Sequence, residues 1–268
     1  MQDALIATVA RYAPAWVRYV LTVSEIGRSN EGWVLASGDN IAIMDAGGTS
    51  AMPLWPYREL AASASGAEDE LAATEPPPEP TSIDALELVE KILPALIANE
   101  VSVATFPAPD DTRVIEARGV IRDLQVFIDE PRDVASELAA EAGTVEVEGW
   151  APLSVPDLGP SDQEADASFW LLASEDEPSV IGVVIGGRPA LALFATRPTA
   201  EEFAEAAGVP AMPRPASTDS LIGHWLLMAF TAAWDVALVT DDGSFGAVKP
   251  VRLALDLALA SAQQAEKN

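Results

Sequence analysis

The sequence predicts an α+β protein made of two tandem, divergent modules, each a small, mostly antiparallel sheet with helices packed on it. Three observations predict it. Hydrophobic residues make up 49% of the 268 residues, which is ample for a core. Within each half, strand-like runs come before helical runs, and this order argues against a doubly wound βαβ sheet. Short blocks also recur in the same order. Trp33-Val34-Leu35-Ala36-Ser37 returns as Trp170-Leu171-Leu172-Ala173-Ser174 at an offset of 137, and Gly47-Gly48 with Met52, Leu54 and Trp55 returns as Gly186-Gly187 with Leu191, Leu193 and Phe194 at 139. Ser82, Asp84 and Leu86 match Ser217, Asp219 and Leu221 at 135, and Asp123-Leu124 matches Asp256-Leu257 at 133. Ordered blocks with drifting offsets are what a repeat with loop insertions produces. The expected modules are 1–132, with an N-terminal helix, and 133–268.

Residues 3–26 read as that helix, with Pro14 breaking the pattern. Strands follow at Trp33 to Ser37 and Ile41 to Met44, and their counterparts at Trp170 to Ala173 and Val180 to Ile185. Each Gly-Gly pair reads as a two-residue hairpin turn, because both central positions take positive φ. A third strand, Ala51 to Trp55 or Ala190 to Phe194, leads into a short helix near Tyr57 to Ala64 or Thr199 to Ala207. A longer helix then starts behind Ser82, or behind Ser217 or Thr218, with acids in its first turns. Pro94 suggests a late kink in the first copy. Strands at Val101 to Phe106 and Val236 to Thr240 end at Asp110-Asp111 and Asp241-Asp242, and helices near Gly119 to Ile128 and Pro250 to Ala262 close the two halves. Asp133 to Ala142 reads as a short helix and Thr144 to Glu148 as a strand. Ala67 to Pro80 and Ser154 to Asp166, rich in proline and acids, read as solvated loops.

Lys plus Arg is 15 against 42 for Asp plus Glu, a formal charge of −27. Such a charge argues against nucleic-acid backbones and anionic membranes, which require cations to displace their counterions. With no Cys there is no thiolate zinc site or cysteine nucleophile, and with one His most histidine-based sites are excluded. The start of the chain lacks the basic and apolar pattern of a signal peptide, so a cytoplasmic location is expected. His224, beside Trp225, reads as a packed side chain rather than a catalytic base. Asp110-Asp111 and Asp241-Asp242 lack the third ligand that a hard cation needs. The Gly-Gly pairs lack the context of a phosphate loop, and no Gly-x-Ser-x-Gly elbow occurs. Of the seven tryptophans, Trp33 and Trp170 stand at equivalent strand positions, so core packing is the default reading, with an exposed Trp at a partner surface as the alternative.

Gly32-Trp33-Val34-Leu35, Pro53-Leu54-Trp55-Pro56-Tyr57, Ile92-Leu93-Pro94-Ala95-Leu96 and Val103-Ala104-Thr105-Phe106-Pro107 are the residues of a family pattern. Through them, roughly residues 15 to 115 resemble the small bacterial proteins of the domain-of-unknown-function 2750 family. The second half departs from the pattern, with Ala192-Leu193-Phe194-Ala195 in place of the Trp-Pro segment and Thr240-Asp241 in place of Phe-Pro. It bears a fainter resemblance to the N-terminal domain of the enhanced-serine-sensitivity protein. Neither resemblance implies an activity or a catalytic residue.

The expected function is therefore that of a non-catalytic acidic protein, with no cofactor and no metal, that recognises another protein. An immunity or inhibitor protein against a basic partner is one form of it. The alternative is a small-molecule-binding or enzymatic domain with a site between the modules. The partner-facing acids expected are Glu68, Asp69 and Glu70 in the first loop and Glu175, Asp176 and Glu177 in the second half.

Overall fold

A computed structural model of the chain describes residues 2–65, 77–107, 112–156, 158, 162–174, 178–240, 243–265 and 267. The chain is α+β and divides into two compact units, Met1–Ser136 and Glu137–Asn268. Among the described residues, no helix is long and apolar enough to cross a membrane.

In the first unit the N-terminal helical run is split, as Pro14 requires, into α1 (Gln2–Tyr12) and α2 (Ala15–Ser29), with Pro14 itself at the N-cap of α2. Helix α2 is buried from Trp16 through Ile26. Strands β1 (Glu31–Ser37), β2 (Asn40–Ile41), β3 (Met44–Asp45) and β4 (Ser50–Leu54) lead to α3 (Arg58–Ser65) and β5 (Glu79–Asp84). A continuous helix follows as α4 (Ala85–Glu87), a π turn (Leu88–Ile92) and α5 (Leu93–Ala98). Then come β6 (Ser102–Thr105), β7 (Arg113–Ile115) and α6 (Ala117–Asp129). Strand β1 pairs antiparallel with β2 and β5, and β4 pairs antiparallel with β3 and parallel with β6. The two small sheets meet where the Trp33 and Trp55 backbones exchange both hydrogen bonds at 2.9 Å. Gly27 sets the approach of α2 to α6: a Cβ there would lie 2.8 Å from the Phe127 backbone.

Helix α7 (Val134–Ala139) is followed in the second unit by β8 (Gly143–Val145), β9 (Gly149–Ser154), β10 (Phe169–Ser174), β11 (Ser179–Ile185), β12 (Arg188–Phe194), α8 (Arg197–Ala207) and β13 (Ala211–Ala216). Helix α9 (Thr218–Ser220), a π turn (Leu221–Trp225) and α10 (Leu226–Thr231) precede β14 (Asp235–Val239), β15 (Phe245–Val248) and α11 (Pro250–Ala265). Here β10 pairs antiparallel with β13, β12 parallel with β14, and β14 antiparallel with β15. The core gathers Trp170, Leu172, Val183, Ala192, Phe194 and Ala237 between this sheet and α8.

Three sequence expectations need correction. Glu79–Asp84 and Ala211–Ala216 are strands, although the first was expected as loop and helix cap and the second had no assignment. Their prolines hid them, and edge placement explains why prolines are tolerated. Trp33 spends its N–H and C=O on Trp55, so the β1–β5 ladder does not use them. By the two-residue period Pro80, opposite Leu35, forfeits no ladder bond. The cap of the long helix is Asp84, not Ser82: its carboxylate accepts from Leu86 N at 2.8 Å and Glu87 N at 3.2 Å. Both Gly-Gly pairs are the two-residue turns expected: Ile185 stands opposite Arg188 around Gly186-Gly187, and around Gly47-Gly48 the register that sets Asp45 opposite Ser50 brings Ala46 N–H onto Thr49 C=O at 2.9 Å, with all four glycines at positive φ. Finally, Pro94 is not the sole cause of the π turn before it, because Leu221–Trp225 adopts the same turn with no proline after it.

Candidate functional site

The polar groups that stand out belong to two buried clusters of the first unit. Arg18 and Glu25 lie two turns apart on α2, exposed by only 2% and 1%. Arg18 Nε donates to the Phe106 carbonyl at 3.2 Å and Nη1 to the Ala13 carbonyl at 2.5 Å. Phe106 has a positive φ of 44°, a strained conformation for a residue with a Cβ, and its N–H is fixed on Leu54 C=O at 2.7 Å. The Phe106-Pro107 strand end is thus pinned from both sides. Glu25 accepts a two-pronged bond from Arg28, Nε at 3.0 Å and Nη2 at 2.7 Å. The Tyr57 hydroxyl is buried near it with no hydrogen-bond partner. Burial, and then the negative charge of Glu25, push this phenol above its usual range.

On the other side of α2, Tyr19 donates to Asp123 on α6 at 2.5 Å, with the Arg113 guanidinium 5.3 Å from its ring centre. Burial first, then the bond to Asp123 and its charge, push the Tyr19 phenol far up. In the second unit Asp162 accepts from Ser217 N–H at 2.9 Å and from the Ser220 hydroxyl. Burial would raise its carboxyl, but these bonds outweigh it and hold it below 3.8. Part of the expected solvated loop 154–166 is therefore docked on a helix start. None of these groups was expected as a site from the sequence, although Ser217 was expected as a helix cap, Asp123 stood in a repeat match, and Tyr57 and Phe106 stood in the family pattern. The readable signal was Arg18, Thr22 and Glu25 recurring on one face of an otherwise apolar helix.

His224 sits in the π turn, its ring edge-on to Trp225 at 5.0 Å, and its Nε2 is buried with no hydrogen-bond partner. Through that nitrogen it meets neither the Asp162 carboxylate nor the Ser220 hydroxyl, which a catalytic triad would require. In both Gly-Gly turns the second glycine donates its N–H to a carboxylate of the chain, Gly48 to Asp45 at 2.6 Å and Gly187 to Glu148 at 3.1 Å. An acid already occupies the place of an anionic ligand. Among the described residues, no group of three His, Asp or Glu side chains is placed to hold a metal. Glu68, Asp69, Glu70, Glu175, Asp176 and Glu177, and the pairs Asp110-Asp111 and Asp241-Asp242, lie outside the described residues. Of the tryptophans, Trp16, Trp55, Trp170 and Trp225 are buried, but Trp150 on β9 is 43% exposed.

A cleft of about 260 Å³ opens at the start of α6, lined by Ile97, Glu100, Ser102, Glu116 and Arg118. It is smaller than the roughly 300–1,000 Å³ of typical ligand pockets. Arg18, Tyr19 and Asp162 are each committed to holding an element in place: Arg18 holds the Phe-Pro turn, Tyr19 joins α2 to α6, and Asp162 binds the start of the long helix of the second unit.

No curated protein matches the chain. Residues 19–124, from within α2 to within α6, match the model of a family described as a protein of unknown function, DUF2750, the family that the Trp-Pro and Phe-Pro segments resemble.

Proposed function

We propose that this chain is a non-catalytic, acidic binding protein of the bacterial cytoplasm that recognises another protein with a basic face, as an immunity or inhibitor protein does. The observation that carries this reading is the charge of −27. Fields of that size speed encounter with cationic partners and disfavour anionic ones. The reading is further supported by the use of Glu25, Asp123 and Asp162 in structural bonds. The test is capture of partners from the native cell at low and moderate salt, repeated after neutralising Glu68, Asp69, Glu70, Glu175, Asp176 and Glu177. A specific protein lost on neutralisation and on adding salt is expected. Retention indifferent to those charges, or no retained protein, would remove the reading.

We also infer that the second unit is a divergent copy of the first. Strand pairing supports this: Trp33 faces Trp55 and Ser82, while Trp170 faces Phe194 and Pro215. Ala51 runs parallel opposite Ser102, and Ala190 opposite Asp235. The two π turns and the two helix caps, Asp84 and Ser217, also correspond. This pairing aligns residues from Pro80 onward at an offset of 133, not the 135 read from matching letters. On this alignment Lys91 corresponds to His224.

A further inference from the structure

We propose that the sheet edge Asn40–Asp45 is a docking strip to which an extended segment of a partner protein adds as an antiparallel strand, uncharged at its centre and cationic at its ends. The proposal rests on the protein-binding reading above and names the surface and the kind of segment it takes.

The edge is built to receive a strand. Ala42 N–H bonds inward to Leu35 C=O and Ala46 N–H to Thr49 C=O, while Met44 faces Ala51. Backbone groups alternate in direction along a strand, so those of Ile41, Ile43 and Asp45 point outward. Strands β2 and β3 each stand at the margin of their sheet, and among the described residues no strand pairs with their outer side. Ile43 is 44% exposed. An open edge with an exposed isoleucine invites pairing, and proteins usually blunt such edges with lysine, proline or a covering segment.

The second unit shows what covers this position. Its β11 pairs with β10 and β12 along one side, as Asn40–Asp45 does with β1 and β4. Along its other side lies β9, antiparallel over six residue pairs from Ser179↔Ser154 to Val184↔Gly149. Strand β9 reads Gly-Trp-Ala-Pro-Leu-Ser, with no charge. Gly182 of β11 corresponds to Ile43 and faces Ala151. A small residue opposite Ile43 is thus the form that fits, with Ile43 supplying the apolar contact. A second copy of the chain is disfavoured as occupant, since each copy carries −27. Asp39 and Asp45, exposed at either end of the strip, favour cations on the incoming strand.

The test uses the full chain and a peptide of the Gly149–Ser154 sequence flanked by two lysines at each end, titrated while the amide resonances are followed. Saturable shifts and slowed hydrogen exchange at Ile41, Ile43 and Asp45 are expected. Ile43→Pro removes an outward N–H that the fold does not use, and at least a tenfold loss of affinity with unchanged circular dichroism is expected. Should that variant unfold, a peptide methylated at alternate backbone nitrogens must lose binding to the native chain by the same factor. No binding at millimolar peptide, binding that leaves those three amides unmoved, or binding indifferent to both changes overturns the proposal. A native partner kept by Ile43→Pro but lost on neutralising the acidic loops overturns it while leaving the protein-binding reading intact.

Discussion

Tyr19 and Tyr57 both have their hydroxyls withdrawn from water, yet among the described residues Tyr19 bonds Asp123 and Tyr57 bonds nothing. The same substitution should therefore act with opposite sign. Tyr19→Phe leaves the Asp123 carboxylate without its donor and is expected to cost about 1–2 kcal/mol in denaturant unfolding. Tyr57→Phe removes an unsatisfied polar atom and is expected to be neutral or stabilising by up to about 1 kcal/mol. Both phenols are raised above their ordinary 10.0 in the folded state. Each holds its proton in the folded chain after the unfolded chain has lost it. Their contribution is thus complete below pH 10 and is lost as pH rises above it. Unfolding free energy measured from pH 9 to 11.5 should fall, and fall less in Tyr19→Phe. A flat profile in the native chain would contradict the burial of these groups.

At the scale of elements, Gly182 and the two helix caps are where single changes act most. A Cβ on Gly182 would stand 2.4 Å from the Ala190 carbonyl and 2.5 Å from Leu153 Cδ1. The first contact is backbone and cannot yield, so Gly182→Ala should strain the β9–β11–β12 contact. A cost of about 2–3 kcal/mol is expected in thermal unfolding, with faster hydrogen exchange along β9. Asp84→Ala and Ser217→Ala each remove a side-chain acceptor from a helix start, and each should cost about 1 kcal/mol. Much at this scale was legible in the sequence. The helix expected near Thr199 to Ala207 is α8, closed by Gly208 at a positive φ of 64°, because cap chemistry is local. The strands Glu79–Asp84 and Ala211–Ala216 were not legible. Proline is a poor strand former unless its missing N–H faces away from the ladder, and only the pairing decides that.

For the molecule as a whole, the charge of −27 is a field that every ionic condition changes. Self-repulsion destabilises the compact state and salt screens it, so the melting temperature should rise between about 10 mM and 500 mM salt, where the screening length falls from roughly 30 Å to 4 Å. Mild acid relieves the same repulsion. Asp133 and Asp162, however, are held below their ordinary 3.8, Asp133 by the Ser136 backbone and hydroxyl and Asp162 by Ser220 and Ser217 against its burial. Their contribution is present above 3.8 and is lost as pH falls through their folded values. Stability should therefore peak above pH 4 and drop below it. A melting temperature that falls with added salt would show that repulsion is not the governing term.

The sequence alone determined the class of fold, the order of most elements and the sign of the protein's field. Hydrophobic periodicity, caps, glycine turns and net charge are properties of neighbouring residues or of composition, and need no partner to be read. Tertiary structure decided which polar groups are spent in the interior. Arg18 and Glu25 recur on one helix face, but only the packed fold buries them and brings the Phe106 carbonyl onto Arg18. It also decided which edges are covered. Val180–Val184 is paired by β9, whereas among the described residues no strand pairs with the outer side of β2 or β3. Edge pairing joins residues distant in sequence through backbone hydrogen bonds, which leave no mark on side-chain composition, so only the assembled sheet reveals it.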